Sequence, residues 1–294
     1  MTMDDELEEF GERIDGAPPP SSFVDLMQRP EAKETIGRLV DLYRGRELLP
    51  GNRDVRLDCC CPKRESCWRD APAPKDPKNS GISIPWLGAN YFDHRILVAG
   101  INFNNLGGLH MHYGVIQDHI ESMRRGKRGK QGRAFSRGAM RGLQIVVDSL
   151  AKVPSDDYSD ATNEELADTW NQCAYLQAIK CSPGSPSSQP SADMKLNCPS
   201  FLLLRELEIL KPRVVLLYGR SGLRDVVRPM LNRGNDAGLD WAHRMERDDL
   251  ATPFGSCTVF SLNHPSSVHP YFDESLEELQ RSLVDSPLTP LSEK

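Results

Sequence analysis

Four short apolar runs separated by amphipathic helical stretches predict an α/β protein. The expected architecture is a three-layer α/β/α fold with a central parallel four-stranded sheet. Residues 96–99, 175–179, 214–218 and 258–262 are short and mostly apolar, which suits strands covered on both faces. Stretches 137–151, 199–211, 220–232 and 273–284 show helical periodicity between or after them. Strands alternating with helices imply βαβ units with right-handed crossovers.

Residues 1–22 are acidic, then carry Pro18, Pro19 and Pro20. Such a composition buries too little apolar surface to offset ordering, so a disordered tail is expected. In residues 31–47, Ile36, Leu39, Val40 and Tyr43 fall on one helical face. Residues 50–90 lack periodicity and are rich in proline; they read as loop folded around something. The expected organisation is tail 1–22, a cysteine-bearing extension 23–94, an α/β domain 95–284 and a loose tail 285–294.

The chain has 294 residues and a net charge of −6, a balance that argues against nucleic acid. The distribution reverses that inference. The first 15 residues hold seven acids (Asp4, Asp5, Glu6, Glu8, Glu9, Glu12, Asp15) against one base, Arg13. The rest of the chain is neutral overall. Between 124 and 133 it concentrates six cations, Arg124, Arg125, Lys127, Arg128, Lys130 and Arg133, with three glycines. Such a run is a solvated face or a phosphate-binding loop. No apolar run reaches the ~18–20 residues of a membrane span, and the start lacks the pattern of a secretory signal. A cytoplasmic location is expected, nucleoid-associated if the cell is bacterial. No membrane association and no obligate protein partner are expected.

In parallel sheets ligands sit beyond the carboxyl ends of the strands. The first run ends in Gly100-Ile101-Asn102-Phe103-Asn104-Asn105, where glycine permits close backbone approach and Asn102 presents an amide. The second leads into Lys180-Cys181-Ser182-Pro183, the third into Gly219-Arg220-Ser221-Gly222, and the fourth into Asn263-His264-Pro265-Ser266-Ser267. Polar or glycine-rich chemistry at all four tips is what one shared cleft requires.

Over roughly residues 95–284 this constellation resembles the uracil-DNA glycosylase superfamily. GINFNN looks like its first motif, and HPSS like its second. GRAFSRGAMRGL (residues 132–143) is similar to a segment of the iron–sulfur branch. So is AIKCSP followed by Cys198 and FLLLRELEILKPRVVLLYG. The resemblance implies roles. Asn102 would position the water that attacks C1′, and His264 would donate to the base O2 as charge develops there. Phe135 would stack on a nucleotide flipped out of the helix, and Gln177 would read the base edge. Gly100, Ile101, Phe103, Pro265 and Ser266 would line the pocket. Arg124, Arg125, Lys127, Arg128, Lys130 and Ser267 would meet the DNA backbone. Two departures from the branch pattern, Gln177 for its usual Asn and Asn102 for its usual acid, argue against plain uracil as the substrate and towards a modified or bulkier pyrimidine.

The chain has eight cysteines. In a reducing compartment clustered cysteines read as metal ligands before disulfides. Cys181 and Cys198 are 17 residues apart, similar to two cluster ligands of the iron–sulfur glycosylases. The resemblance takes the other pair from the N-terminal cluster: Cys67 and one of Cys59, Cys60 and Cys61. Cys61 is preferred because Pro62 starts a turn after it. The implied cofactor is a 4Fe–4S cluster, with tetrahedral zinc as the alternative. Cys173 and Cys257 lie in apolar segments, where buried free thiols are common.

The implied function is a monofunctional DNA glycosylase acting on uracil or a modified pyrimidine. It would serve base-excision repair or defence against viral DNA with modified bases. No lysine stands in the matched motifs for a Schiff base. The alternative is a non-catalytic iron–sulfur or zinc protein that binds DNA.

Overall fold

The computed structural model describes residues 21–46, 48, 61–67, 84–101, 130–153, 161–180, 190–219, 244–265 and 270–288. Its helices are α1 (Ser21–Leu26), α2 (Pro30–Gly45), α3 (Arg64–Cys67), α4 (Tyr91–His94), α5 (Lys130–Ala151), α6 (Asn163–Thr169), α7 (Ala192–Cys198), α8 (Leu204–Leu210) and α9 (Tyr271–Asp285). Its strands are β1 (Trp86–Leu87), β2 (Ile96–Gly100), β3 (Cys173–Gln177), β4 (Val214–Tyr218), β5 (Met245–Thr252) and β6 (Gly255–Leu262). The acidic tail and the helix expected over 220–232 lie outside the described residues.

The chain is α/β, but the sheet is neither four-stranded nor wholly parallel. Six strands run in the order β1-β3-β2-β4-β6-β5. Strands β2 and β4 are parallel, with Ile96 beside Val214 and Ala99 beside Leu217. Strands β4 and β6 are also parallel, from Val214 beside Thr258 to Tyr218 beside Leu262. Strand β5 is antiparallel to β6, with Met245 beside Leu262 and Thr252 beside Gly255.

Both additional strands escape the sequence pattern for physical reasons. Strand β1 has only two residues. Strand β5 carries Glu246-Arg247-Asp248-Asp249 directly after Met245, a run that no buried strand tolerates. It is the last strand of the sheet, where charge guards against pairing with another chain. Met245 and Leu250 alone point to the core. The Arg247 guanidinium lies 5.5 Å from the Phe260 ring centroid, and the Thr258 hydroxyl donates to Asp249 at 2.6 Å. The β5–β6 turn closes on Gly255, whose φ of +123° favours glycine.

The chain divides into two compact units. One comprises Met1–Trp86, Gly100–Gln117 and Leu176–Leu210; the other comprises Leu87–Ala99, Asp118–Tyr175 and Lys211–Lys294.

In the first unit, α2 begins with Pro30 at its first turn, where the missing N–H costs nothing. It buries Ile36, Leu39, Val40 and Tyr43, the face the spacing predicts. Helix α7 continues through a π-helical turn, Pro199–Leu203, into α8. Leu202, Leu203, Leu207 and Leu210 are buried there. Within residues 50–90, expected to be loop, the described part includes α3 and β1.

In the second unit, β4 is buried at every residue, as a strand covered on both faces must be. Helix α5 buries Ala139, Met140, Leu143, Ile145 and Val146. Its Arg141 pairs with Asp273 of α9 at 2.9 Å.

Candidate active site

The second unit carries His264 and Pro265. The registers of β2, β4 and β6 bring the carboxyl ends of these strands into line. Strand β6 then runs directly into Asn263-His264-Pro265. The loops beyond β4 and β6 are joined, since the Gly219 N–H donates to the Leu262 carbonyl at 3.1 Å. Gly219 has a φ of +107°.

Three contacts hold this segment. The Asn263 N–H donates to the Ser275 hydroxyl oxygen at 3.3 Å, and its side-chain amide donates to the Tyr271 carbonyl at 3.1 Å. Both acceptors belong to α9. The third contact is Pro265 against α5. A methyl group placed on Gly138 would lie 2.7 Å from Pro265 Cβ and 2.8 Å from Phe272 Cε1. One turn further, a methyl on Gly142 would collide with the Tyr218 hydroxyl. That hydroxyl donates to the Ala139 carbonyl at 2.8 Å. Two glycines four residues apart therefore form a shallow groove on α5, and Tyr218 at the β4 end and Pro265 settle into it. Phe135 lies in the same helix, three residues before Gly138, and Lys130 starts it.

His264 itself is half-buried. Burial holds its imidazole below the ordinary value, so the neutral form persists to lower pH. A neutral imidazole donates from one ring nitrogen and accepts at the other.

The first unit carries Gly100, Ile101 and Gln177. The Ala178 N–H donates to the Gly100 carbonyl at 3.0 Å, and the Ile179 N–H to the Ile101 carbonyl at 2.8 Å. Gln177 is 2% exposed. A methyl on Gly100 would lie 2.5 Å from its Oε1 and 2.8 Å from its Nε2. Glycine here permits a close approach, as the sequence suggests, and the group that approaches is the Gln177 amide.

Three of the four proposed metal ligands also belong to this unit. Cys67 ends α3 and is buried, Cys198 ends α7, and Cys61 is partly exposed. Ser191 caps α7 by accepting from the Met194 N–H at 3.1 Å, and its hydroxyl donates to the Cys67 carbonyl at 2.8 Å. The Asn197 amide lies 3.5 Å from Cys67 Sγ, one residue before Cys198. The Cys198 sulfur accepts the Lys180 N–H at 3.1 Å. Burial pushes the Cys198 thiol up to about 12, and Cys61 pushes it the same way through space. Among the described residues no group of three Cys, His, Asp or Glu is close enough to hold a metal ion. Cys181 is outside them. Thiolate donors as a class suit a soft metal or an iron–sulfur cluster. Cys173 and Cys257 are fully buried, and burial raises both thiols.

Asn102, Phe103, Arg124, Arg125, Lys127, Arg128, Ser266 and Ser267 lie outside the described residues. Sequence reasoning missed one cluster, formed by Tyr43, Lys180 and Glu206, all buried. Its signal was a glutamate inside the apolar run FLLLRELEIL and a lysine closing AIK. Among the described residues no helix is long and apolar enough to cross a membrane.

No family model matches this chain, and no curated protein matches it significantly.

Proposed function

We propose that this chain is a monofunctional DNA glycosylase that removes uracil or a modified pyrimidine and leaves an abasic site. The observation that carries the reading is the placement of Asn263-His264-Pro265, the start of the HPSS motif. This segment follows the carboxyl end of parallel strand β6, is anchored by α9 through Asn263, and packs through Pro265 on the glycine groove of the GRAF helix. The four motifs, in their order along the chain, support the same reading.

In this mechanism the target nucleotide leaves the base stack and enters the pocket. The resemblance assigns Phe135 to stacking on the base and the Gln177 amide to its edge. As the C1′–N1 bond breaks, the electron pair passes to the base and negative charge gathers on O2. The neutral His264 imidazole donates a hydrogen bond there, strongest in the transition state. Asn102 orients a water whose oxygen bonds to C1′ and whose released proton is balanced by the one the departing base anion takes up from solvent. The basic segment, Arg124 to Lys130, pairs with phosphates and makes affinity fall with salt. Cys61, Cys67, Cys181 and Cys198 would hold a 4Fe–4S cluster or zinc, which would pin the N-terminal segment and take no part in bond breaking. Repair of damaged DNA and defence against modified viral DNA are both settings for this activity.

The test is a panel of oligonucleotides differing only in the target base, incubated with metal-replete protein and then with alkali. Strand cleavage that Asn102→Ala and His264→Ala abolish is the expected result. DNA binding without an abasic product on any base would overturn it in favour of a non-catalytic DNA-binding protein.

A further inference from the structure

The parallel strands have a second end, away from His264. There β2, β4 and β6 start side by side. The Arg213 N–H donates to the Arg95 carbonyl at 2.9 Å, and the Thr258 N–H donates to the Arg213 carbonyl at 2.8 Å. Strand β4, five residues long, separates this end from Tyr218 by roughly 15 Å at the rise of a strand. A recess of about 160 Å³ opens here. His94, Arg213, Ser256 and Thr258 supply its polar wall, and Leu150, Val214 and Leu288 its apolar wall. All of them belong to the second unit.

Helix ends explain some of the cations around this recess. Arg95 closes α4 and Lys211 follows α8, both with positive φ, and cations at helix C-termini complement the helix dipole. Arg213 has no such role. It stands beyond Pro212, outside any helix, at the start of β4. Its charge is also poorly placed, since burial and the Arg95 charge both hold it below its ordinary value. A carboxylate stands on the Thr258 side, but its charge is met elsewhere. Asp249 accepts the Thr258 hydroxyl at 2.6 Å and Arg247 Nε at 3.2 Å. An imidazole, a guanidinium and a serine hydroxyl therefore line one wall with donor groups. An anion among them would relieve the repulsion between Arg95 and Arg213.

We propose that this recess binds a small oxyanion, a single phosphate group, between Arg213 and His94. Its volume sets the size of the guest. Pockets for cofactors and other organic ligands run to ~300–1,000 Å³, so a whole nucleotide is too large and one phosphate group is not. Arg213 engages two of the oxygens through its planar fork, and His94 and Ser256 donate to the others. The apolar wall keeps water from one side, which strengthens the attraction between the charges. The recess and His264 lie at opposite ends of the parallel strands, so the site is separate from the proposed glycosylase cleft and stands without that reading. Free phosphate and a phosphate of a DNA backbone share this chemistry, and the test separates them.

The experiment titrates full-length wild type, Arg213→Gln, Arg213→Lys and His94→Gln with inorganic phosphate by calorimetry at constant ionic strength. Both side chains are half-buried, and Tm without phosphate checks that each variant is folded. In wild type, Tm should rise with phosphate, as it does for any ligand that binds the folded state. Arg213→Gln should lose about 10–100-fold in affinity, the worth of hydrogen bonds to a charged group. Arg213→Lys should fall between, because it keeps the charge and loses the fork, and His94→Gln should also bind more weakly. The second arm repeats the series with an unmodified DNA duplex. A loss in Arg213→Gln for both probes supports the site with backbone phosphate as its source. A loss for inorganic phosphate alone supports it with free phosphate. Wild-type protein that binds no phosphate, or a folded Arg213→Gln that binds it equally well, would overturn the proposal. So would phosphate binding that Arg124→Gln/Arg125→Gln abolishes and Arg213→Gln keeps, because the anion would then sit on the basic segment.

Discussion

Replacing Gly138 with alanine tests whether the α5 groove positions the HPSS segment. Two effects oppose each other. Alanine in a helix interior gains about 0.5–1 kcal/mol over glycine. The added methyl would lie 2.7 Å from Pro265 Cβ and 2.8 Å from Phe272 Cε1, well inside the ~3.5–4.0 Å of a comfortable carbon contact. Neither neighbour can swing away, because Pro265 has a closed ring and Phe272 is buried. Overpacking of this kind costs about 1–3 kcal/mol, so the net change is a destabilisation of up to ~2 kcal/mol. At about 2–4 °C per kcal/mol, Tm falls by a few degrees. Activity suffers more. If Pro265 gives way, His264 moves with it, and a misplacement of about 1 Å costs on the order of a hundredfold. The assays are thermal unfolding and single-turnover abasic-site formation at a temperature where the variant is fully folded. Gly45→Ala is the control, since nothing lies within 4 Å of a methyl there; it should leave Tm unchanged or raise it slightly. A Gly138→Ala protein with unchanged Tm and unchanged turnover would refute the reasoning.

Other outcomes follow from the same contacts. Gly100→Ala forces the Gln177 amide aside, because a methyl would lie 2.5 Å from its Oε1; the ranking of bases in a substrate panel should change, and an unchanged ranking removes Gln177 from base reading. Tyr218→Phe deletes the 2.8 Å bond to the Ala139 carbonyl at a cost of about 0.5–1.5 kcal/mol, read by chemical denaturation; no loss would mean that the glycine groove alone seats α5. The His264 imidazole titrates below its ordinary value of 6.5, so as pH falls the unfolded chain takes up this proton first. The His264 contribution to stability should therefore decline below pH 6.5 until the folded imidazole protonates. His264→Asn should show a shallower decline of Tm over that window, and an identical decline would contradict the burial.

The α/β class was legible because parallel strands buried on both faces must be apolar throughout. All four runs expected as strands, 96–99, 175–179, 214–218 and 258–262, overlap strands. Strand β5 was illegible for the opposite reason: an edge strand needs only Met245 and Leu250 inside, and its charges hide the alternation. The site was partly legible. His264 and Pro265 stand out as a motif beyond a strand. Nothing in the local pattern of GRAFSRGAMRGL says that Gly138 faces Pro265, because that contact joins residues over a hundred positions apart. Gly100 reads as a place of close approach, but the approaching group was identifiable only after folding.

Local composition alone settles several things: the alternation of strand and helix, the confinement of the net charge to the first fifteen residues, and the thiols available as soft ligands. These depend on neighbours along the chain, so one-dimensional pattern carries them. Pairing across space settles the rest. The mixed sheet depends on which strand finds the free side of β6. The Tyr43–Glu206–Lys180 chain depends on three distant segments excluding water together. A buried charge is costly wherever it stands, and only its surroundings decide whether that cost is met by a partner.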